Sequence, residues 1–256
     1  MIAMDLITPT GDRHESLSLT YKYMMAQTLL HKGANINWFI VDDGQTDACS
    51  RVVAKHPLVM DIGKGRLQVY HVRLIHSPAT VGPRSLAHNV MAVIGHVTAG
   101  KIAIIEDDDC YPTTYLEEQW VRLEDADMSG TIFQRYYHLP SRSYRIFRNR
   151  GSAFCSTAFT RNMIPLLQQV LLDCFNRNSK GIDAKFWEEG KKAGAVQDIY
   201  EPEPHELQVI GMKGLPGRAG IGVGHRPKKF QADQQMLVLR GWVGEDYFPA
   251  YRDMLV

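Results

Sequence analysis

Apolar positions in the first 110 residues fall into two alternating patterns, short continuous runs and longer stretches with helical spacing. Leu6-Ile7 forms a short run that ends at Thr8-Pro9-Thr10, and Leu17, Tyr21, Met24, Met25 and Leu29 then share one face of a helix predicted over 15–31. Trp38-Phe39-Ile40-Val41 reads as a strand, 48–55 as a helix, 67–72 as a strand, 86–97 as a helix and Ile102-Ala103-Ile104-Ile105 as a strand. Strand and helix in strict alternation imply β-α-β units, hence a mainly parallel central sheet flanked by helices. Such a sheet binds its ligands at the carboxyl ends of its strands. Three of the predicted strands run directly into polar residues there: Thr8 to Arg13, Asp42 to Asp47, and Glu106 to Asp109.

The second half is less regular. Strand-like segments over 130–137 and 144–147 precede helix patterns over 162–175 and 183–193, then strands over 196–200 and 207–212. A glycine-rich stretch over 211–224 and a closing segment around Trp242 complete the chain. No Pro/Gly/Ser linker and no fixed-period repeat divides it. The expectation is one domain over 1–256 in two halves, 1–120 and 121–256.

Composition narrows the function without naming it. With 45% hydrophobic and 22% charged residues among 256, the chain has the proportions of a folded globular protein, not of a disordered or fibrous one. Its 29 basic and 28 acidic residues leave a formal charge of +1, so a polyanionic partner would have to be held by a local patch. No basic leader precedes Asp5 and no uncharged run approaches the ~18 residues that span a bilayer, so a cytoplasmic protein is expected. Cys49, Cys110, Cys155 and Cys174 lack C-x-x-C spacing and read as reduced thiols.

Glu106-Asp107-Asp108-Asp109 is the sharpest chemical signal. Four consecutive carboxylates repel one another unless a cation is present, and their hard oxygens suit Mg²⁺ or Mn²⁺ shared with a substrate's phosphates. Taken alone, such a run is a solvated turn before the next helix; following a buried parallel strand, it faces the ligand crevice. Asp42-Asp43-Gly44 and Thr8-Pro9-Thr10-Gly11-Asp12-Arg13 are ordinary turns singly, but they stand at the ends of companion strands.

Together these pieces resemble the family-two glycosyltransferases of GT-A fold, which use nucleotide-sugar donors. The matching residues are Pro9-Thr10-x-x-Arg13, Gln27-Thr28, Phe39-Ile40-Val41-Asp42-Asp43-Gly44-Gln45-Thr46-Asp47, the stretch 82–89, Ile104-Ile105-Glu106-Asp107-Asp108-Asp109, and 112–116. The resemblance implies that Thr8, Pro9, Thr10, Arg13, Asp42 and Asp43 hold the base and ribose, commonly of a uridine nucleotide. It implies that Asp107 and Asp109, with Asp108 between them, form the D-x-D pair that meets ribose and a Mn²⁺ or Mg²⁺ ion. A late histidine completes the metal site in the family, and His225 is the match. The chain departs from the pattern at Gln45, where serine is usual, and at Gly82-Pro83-Arg84-Ser85-Leu86-Ala87-His88-Asn89, so the base-contacting arginine is either Arg84 or absent.

The chemistry has further requirements. A departing diphosphate gathers negative charge that a divalent ion stabilises as a Lewis acid. Lys213, Arg218, His225 and Arg226 lie in a stretch with six glycines, where backbone N–H groups can approach phosphates closely. The same composition also describes a plain surface loop. An acceptor hydroxyl that displaces the diphosphate with inversion needs a base. Gly181-Ile182-Asp183-Ala184-Lys185-Phe186-Trp187 resembles the family's E-D-x-x-F-W segment, which makes Asp183 the base, with Glu188 and Glu189 in reserve, and sets Trp187 at the acceptor. An aspartate there is equally an ordinary partner for a helix dipole.

Arg135-Tyr136-Tyr137-His138 and Arg142-Ser143-Tyr144-Arg145-Ile146-Phe147-Arg148-Asn149-Arg150 interleave arginine with aromatics, as surfaces that bind phosphate backbones and stack bases or sugars do. Arg135, Tyr144, Arg145 and Arg148 are the acceptor candidates. A solvated strand pair is the plain reading, a glycan or small molecule a second, and a nucleic acid carrying a hydroxymethylated base a third. Two other classes share these residues: a nucleotidyltransferase, whose usual G-x-G-x-R loop is missing after the first strand, and a non-catalytic glycan- or nucleic-acid-binding module, against which the intact carboxylates argue.

Overall fold

A computed structural model of the chain describes residues 2–75, 84–149, 151–179, 181–203, 208–218 and 223–255. Residues 82–83 of the sequence motif, Arg150, and 219–222 of the glycine-rich stretch lie outside the described residues. Strands β1 (Ala3–Thr10), β2 (Asn35–Asp42), β3 (Val59–Ile62), β4 (Gly65–Arg73) and β5 (Lys101–Ile104) carry most of the first half. A two-residue strand β6 (Asp109–Cys110) follows, then β7 (Met128–Thr131), β8 (Phe133–His138), β9 (Ser143–Arg148) and β10 (Ala158–Thr160). β11 (Gln197–Tyr200), β12 (Ile210–Lys213) and β13 (Gln231–Ala232) complete the strands.

Among the described residues the central sheet has eight strands in the order β11-β7-β10-β5-β1-β2-β4-β3. β5, β1, β2 and β4 are mutually parallel neighbours, as strand-helix alternation predicts. β3 and β10 pair antiparallel. Their brevity kept them out of the sequence reading: β3 is half a hairpin, closed at Gly63 with φ +61°. The strands bury residues on both faces. Met4, Leu6, Trp38 and Ile40 join one core with the helix His14–Met25, while Ile7, Phe39, Val41 and Ile104 join another with the helices Ser85–Ile94 and Ile164–Arg177.

The helix expected over 15–31 is two helices, His14–Met25 and Thr28–His31. Gln27 breaks it: its backbone is extended, and its fully buried side chain donates to Tyr23 O and Pro112 O and accepts from Leu116 N. The break therefore ties the first helix to the start of the helix Tyr115–Arg122. The segment expected as one strand over 130–137 is likewise two. β7 stays in the central sheet, and β8 enters a second sheet of order β13-β9-β8-β12-β6.

β6 is the hinge of the architecture. It leaves the carboxyl end of β5 and pairs antiparallel with β12, so the carboxylates between β5 and β6 stand where the two sheets meet. β5, β1 and β2 are neighbours, with Ile7 beside Ile104 and Thr10 beside Asp42, so all three polar strand ends border one crevice. The strand order turns back on either side of β1, which is where ligands enter sheets of this kind.

Candidate active site

Asp107, Asp108 and Asp109 are buried and Glu106 half-buried, and the three aspartates are each held differently. Asp107 accepts a 2.6 Å hydrogen bond from Thr10 Oγ1 at Oδ2 and a 2.8 Å bond from Arg13 Nη1 at Oδ1. Its carbonyl accepts from Thr20 Oγ1 at 3.1 Å, a contact no motif announced. Arg13 also lies 3.1 Å from Asp108 Oδ2 and donates from Nε to Arg218 O at 2.8 Å. Asp109 Oδ1 accepts from Lys213 Nζ at 3.0 Å and from Met212 N at 3.1 Å. Asp109 Oδ2 is buried with no nitrogen or oxygen donor among the described residues; beside it lies the thiol of Cys155, grouped with Glu106 and Asp109 inside 4.8 Å.

Four carboxylates facing the cations Arg13 and Lys213 set the local titration. Burial, and then Asp109, push Glu106 well above the usual carboxylate range. Burial raises Asp107 as well, against the pull of Arg13. Burial also opposes charge on Asp108, but Lys213 and Arg13 outweigh it and hold that group low. Asp109 is pushed up to about 6 by burial, even with Lys213 beside it. Burial and the nearby Lys213 hold His225 down to about 4, so its imidazole is neutral and has a lone pair to offer near pH 7. His225 ends the short turn Val223–His225, whose Gly224 packs on Lys213 and Tyr136.

The two turns beside the carboxylates are knitted together. Asp12 accepts from the backbone N–H groups of Gln45 and Thr46, so the departure at position 45 leaves the contact intact, which uses the main chain. Asp43 pairs with Arg218 across Gly11, where any Cβ would collide with both side chains. Gly217 has φ +99°, and a side chain there would run into the Asp12 carbonyl, so the segment carrying Arg218 can lie this close only with glycine. Asp42 accepts from Gly44 N at 2.9 Å and from Arg73 Nη1 at 2.7 Å. Burial works against its charge, and His71, Gly44 and Arg73 together keep it low.

Thr10, Arg13, Asp43, Asp107, Asp108, Asp109, Lys213 and Arg218 thus form one connected cluster, with His225 at its border. Thr8 is turned to the core, where its hydroxyl accepts from Trp38 Nε1, and Pro9 lies in register with Val41. Arg84 is apart from the cluster: its guanidinium stacks over Phe175 at 5.4 Å. Trp187 is buried and donates to Thr157 Oγ1 at 3.1 Å. Asp183 opens the helix Ile182–Lys192 and bonds to backbone N–H groups of that first turn. Burial raises its pKa, and it is near enough to Glu106 to raise that group too.

Strand register sorts the arginine-aromatic segment into two faces, since paired residues share a face and neighbours along a strand do not. Asp109, Gly211 and Tyr136 are in register, as are Tyr136 with Arg145 and Lys213 with His138. This face continues through Phe147, 5.1 Å from Tyr136, to Phe230, with Arg145 stacked over Phe147 at 4.2 Å. Arg135, Tyr144 and Arg148 occupy the opposite face, where Arg135 and Tyr144 pack against Trp242 and Arg148 lies over Phe133. Of the acceptor candidates only Arg145 shares a face with the carboxylates. Period-two alternation in the sequence already separates Arg145 and Phe147 from Tyr144 and Arg148.

The sequence pattern described as Glycosyl transferase family 2 matches residues 5–180. The chain belongs to glycosyltransferase family 2. Its central sheet flanked by helices is the GT-A fold, which it shares with S. aureus TarS 1-349 at 10% identity and TM-score 0.53, over 83% of this chain and 60% of that one. TarS 1-349 in complex with UDP aligns over the same shares at 10% identity and TM-score 0.51. A mannosyltransferase of Pyrobaculum calidifontis, PcManGT, in complex with GDP-Man and Mn²⁺ aligns at 13% identity and TM-score 0.49, over 83% of this chain and 57% of that one. The chain therefore spans about three fifths of the length of these structures. No curated protein sequence matches it. Among the described residues no helix is long and apolar enough to cross a membrane.

Proposed function

We propose that the chain is a metal-assisted, inverting glycosyltransferase that moves a sugar from a UDP-sugar to a hydroxyl of a polyanionic acceptor, with residues 1–120 holding the donor and 121–256 the acceptor. The observation that carries this is Asp109 Oδ2, a buried carboxylate oxygen without a nitrogen or oxygen donor where three strand ends converge. The weak thiol donor of Cys155 leaves that carboxylate poorly satisfied, and a cation would satisfy it better. Asp109, with Glu106 beside it, has capacity for Mn²⁺ or Mg²⁺, the family pattern adds His225, whose neutral imidazole borders the cluster, and both oxygens of Asp107 are already engaged by Thr10 and Arg13. Once bound, the ion would act as a Lewis acid on the leaving diphosphate. Arg218 and Arg13 add positive charge on the donor side, and the UDP bound by TarS supports a uridine donor.

Asp183 takes the proton from the acceptor hydroxyl, whose oxygen attacks the anomeric carbon as the bond to the diphosphate breaks. Its raised pKa suits a base, and its place at the open start of a helix suits contact with an incoming acceptor. The acceptor lies on the face carrying Tyr136, Arg145 and Phe147, and the segment 207–232 adds Arg226, Lys228 and Lys229 without one acidic residue. Planar rings and cations side by side favour a nucleic acid, with a hydroxymethylated base supplying the hydroxyl. Labelled UDP-sugar incubated with Mn²⁺ and a hydroxymethylated oligonucleotide tests this. Asp183→Asn should bind donor as the parent does and lose ~10²–10⁴-fold in kcat. Transfer at the parental rate would remove Asp183 as base, and transfer only to phosphate-free glycans would remove the polyanionic acceptor.

A further inference from the structure

Lys213 ends β12 deep in the site, 6% exposed, yet it carries a full charge that the acceptor chemistry does not use. Its ammonium lies 3.0 Å from Asp109 Oδ1, 3.7 Å from Asp108 Oδ2 and 5.4 Å over the ring of Tyr136. Gly224 closes over its aliphatic stem: a Cβ on that glycine would stand 2.9 Å from Lys213 Cγ. A flexible, solvated lysine would lose its water here for no gain unless the carboxylates replaced it. Asp109 is thus half engaged, with one oxygen on an internal cation and the other buried without a nitrogen or oxygen donor, the weakly donating thiol of Cys155 being the carboxylate's remaining partner.

An ammonium on one oxygen of Asp109 and a divalent cation on the other would stand a few ångströms apart in a poorly screened site, where like charges repel strongly. We propose that Lys213 is a resident counter-ion that competes with the divalent cation for Asp109, so that metal entry and release of the Lys213 ammonium from the carboxylates are one event. This rests on the metal-assisted reading above and adds a coupling to it. A nucleotide diphosphate offers the displaced ammonium a new anionic partner. Mn²⁺ and nucleotide therefore bind cooperatively, each raising the affinity for the other by the same factor.

Mn²⁺ binding to the full chain, followed by electron paramagnetic resonance and calorimetry with and without UDP, tests the coupling directly. In the parent, UDP should tighten Mn²⁺ by roughly 5–150-fold, the span usual for coupled sites. Lys213→Met keeps the length of the stem and removes the charge. It should bind Mn²⁺ more tightly than the parent without UDP, and UDP should then add much less. Equal or weaker Mn²⁺ binding by Lys213→Met, with the UDP effect unchanged, overturns the competition while leaving the metal site standing. Absence of Mn²⁺ binding in both proteins overturns the metal-assisted reading and this coupling with it. Should the variant fail to fold, acetylation of the parent by acetic anhydride, mapped by mass spectrometry, gives the answer: Lys213 should be protected without metal and labelled faster with Mn²⁺ alone. Unchanged labelling under saturating Mn²⁺ refutes the displacement.

Discussion

Asp107→Asn separates electrostatics from architecture at the centre of the site. The carboxylate is 2% exposed and accepts one bond at each oxygen, 2.8 Å from Arg13 Nη1 and 2.6 Å from Thr10 Oγ1. Asparagine keeps one acceptor, which Arg13 requires because a guanidinium only donates. The amide nitrogen must then face Thr10, whose hydroxyl can accept it and redirect its own proton to Cys49 Sγ, 3.5 Å away. No buried polar group is stranded. The loss is then at most the difference between a charged and a neutral hydrogen bond, about 1–2 kcal/mol, because asparagine also removes the desolvation that burial imposes on the ionised group. At about 2–4 °C per kcal/mol for a chain near this size, Tm should fall by no more than about 8 °C with cooperative unfolding preserved. Turnover should fall much further, by ~10²–10³-fold, as when one preorganised charge is removed from a transition state. Calorimetric melting and initial rates with UDP-sugar measure the two effects. Near-parental turnover would refute the placement of donor chemistry at Asp107, and loss of a cooperative melt would refute the hydrogen-bond exchange.

Gln27→Leu should destabilise the chain by about 1–3 kcal/mol, because Pro112 O and Leu116 N lose their buried partner; denaturant melts read this, and an unchanged midpoint would show that water replaces the amide. Mn²⁺ affinity should fall as pH drops below about 6, since Asp109 must be ionised to bind a cation and burial has raised its pKa to about 6. The same raised pKa makes Asp109 cost stability without metal as pH rises from its unfolded value near 4 towards 6, where only the unfolded chain ionises fully. Calorimetry across pH 5–8 checks the affinity, and a flat profile would place the ion on other ligands.

Short continuous apolar runs and period-3.6 patterns were enough to set out the parallel strands β1, β2, β4 and β5 and the polar ends that border one crevice. Those signals are local: a run such as Trp38-Phe39-Ile40-Val41 is strand because both faces of a parallel sheet are buried, and Asp42-Asp43-Gly44 is a turn because a glycine follows two carboxylates. Thr10, Arg13 and Asp43 stood out only through the family resemblance and Asp107 to Asp109 through their run of carboxylates, and tertiary structure joined them in one cluster. Tertiary structure alone decided what each side chain does there. Nothing local distinguishes Thr8, turned to Trp38, from Thr10, two residues on, which bonds Asp107. Nor does local pattern place Lys213 between two aspartates a hundred residues earlier, or send Arg84 to Phe175 instead of the carboxylates. The two-residue strand β6 is too short to carry a periodic signal, yet its pairing with β12 puts Asp109, Tyr136 and Arg145 on one face and Arg135, Tyr144 and Arg148 on the other. Contacts of that kind are made between segments far apart in the chain, and their energy comes from burial and charge pairing that exist only after the two sheets meet.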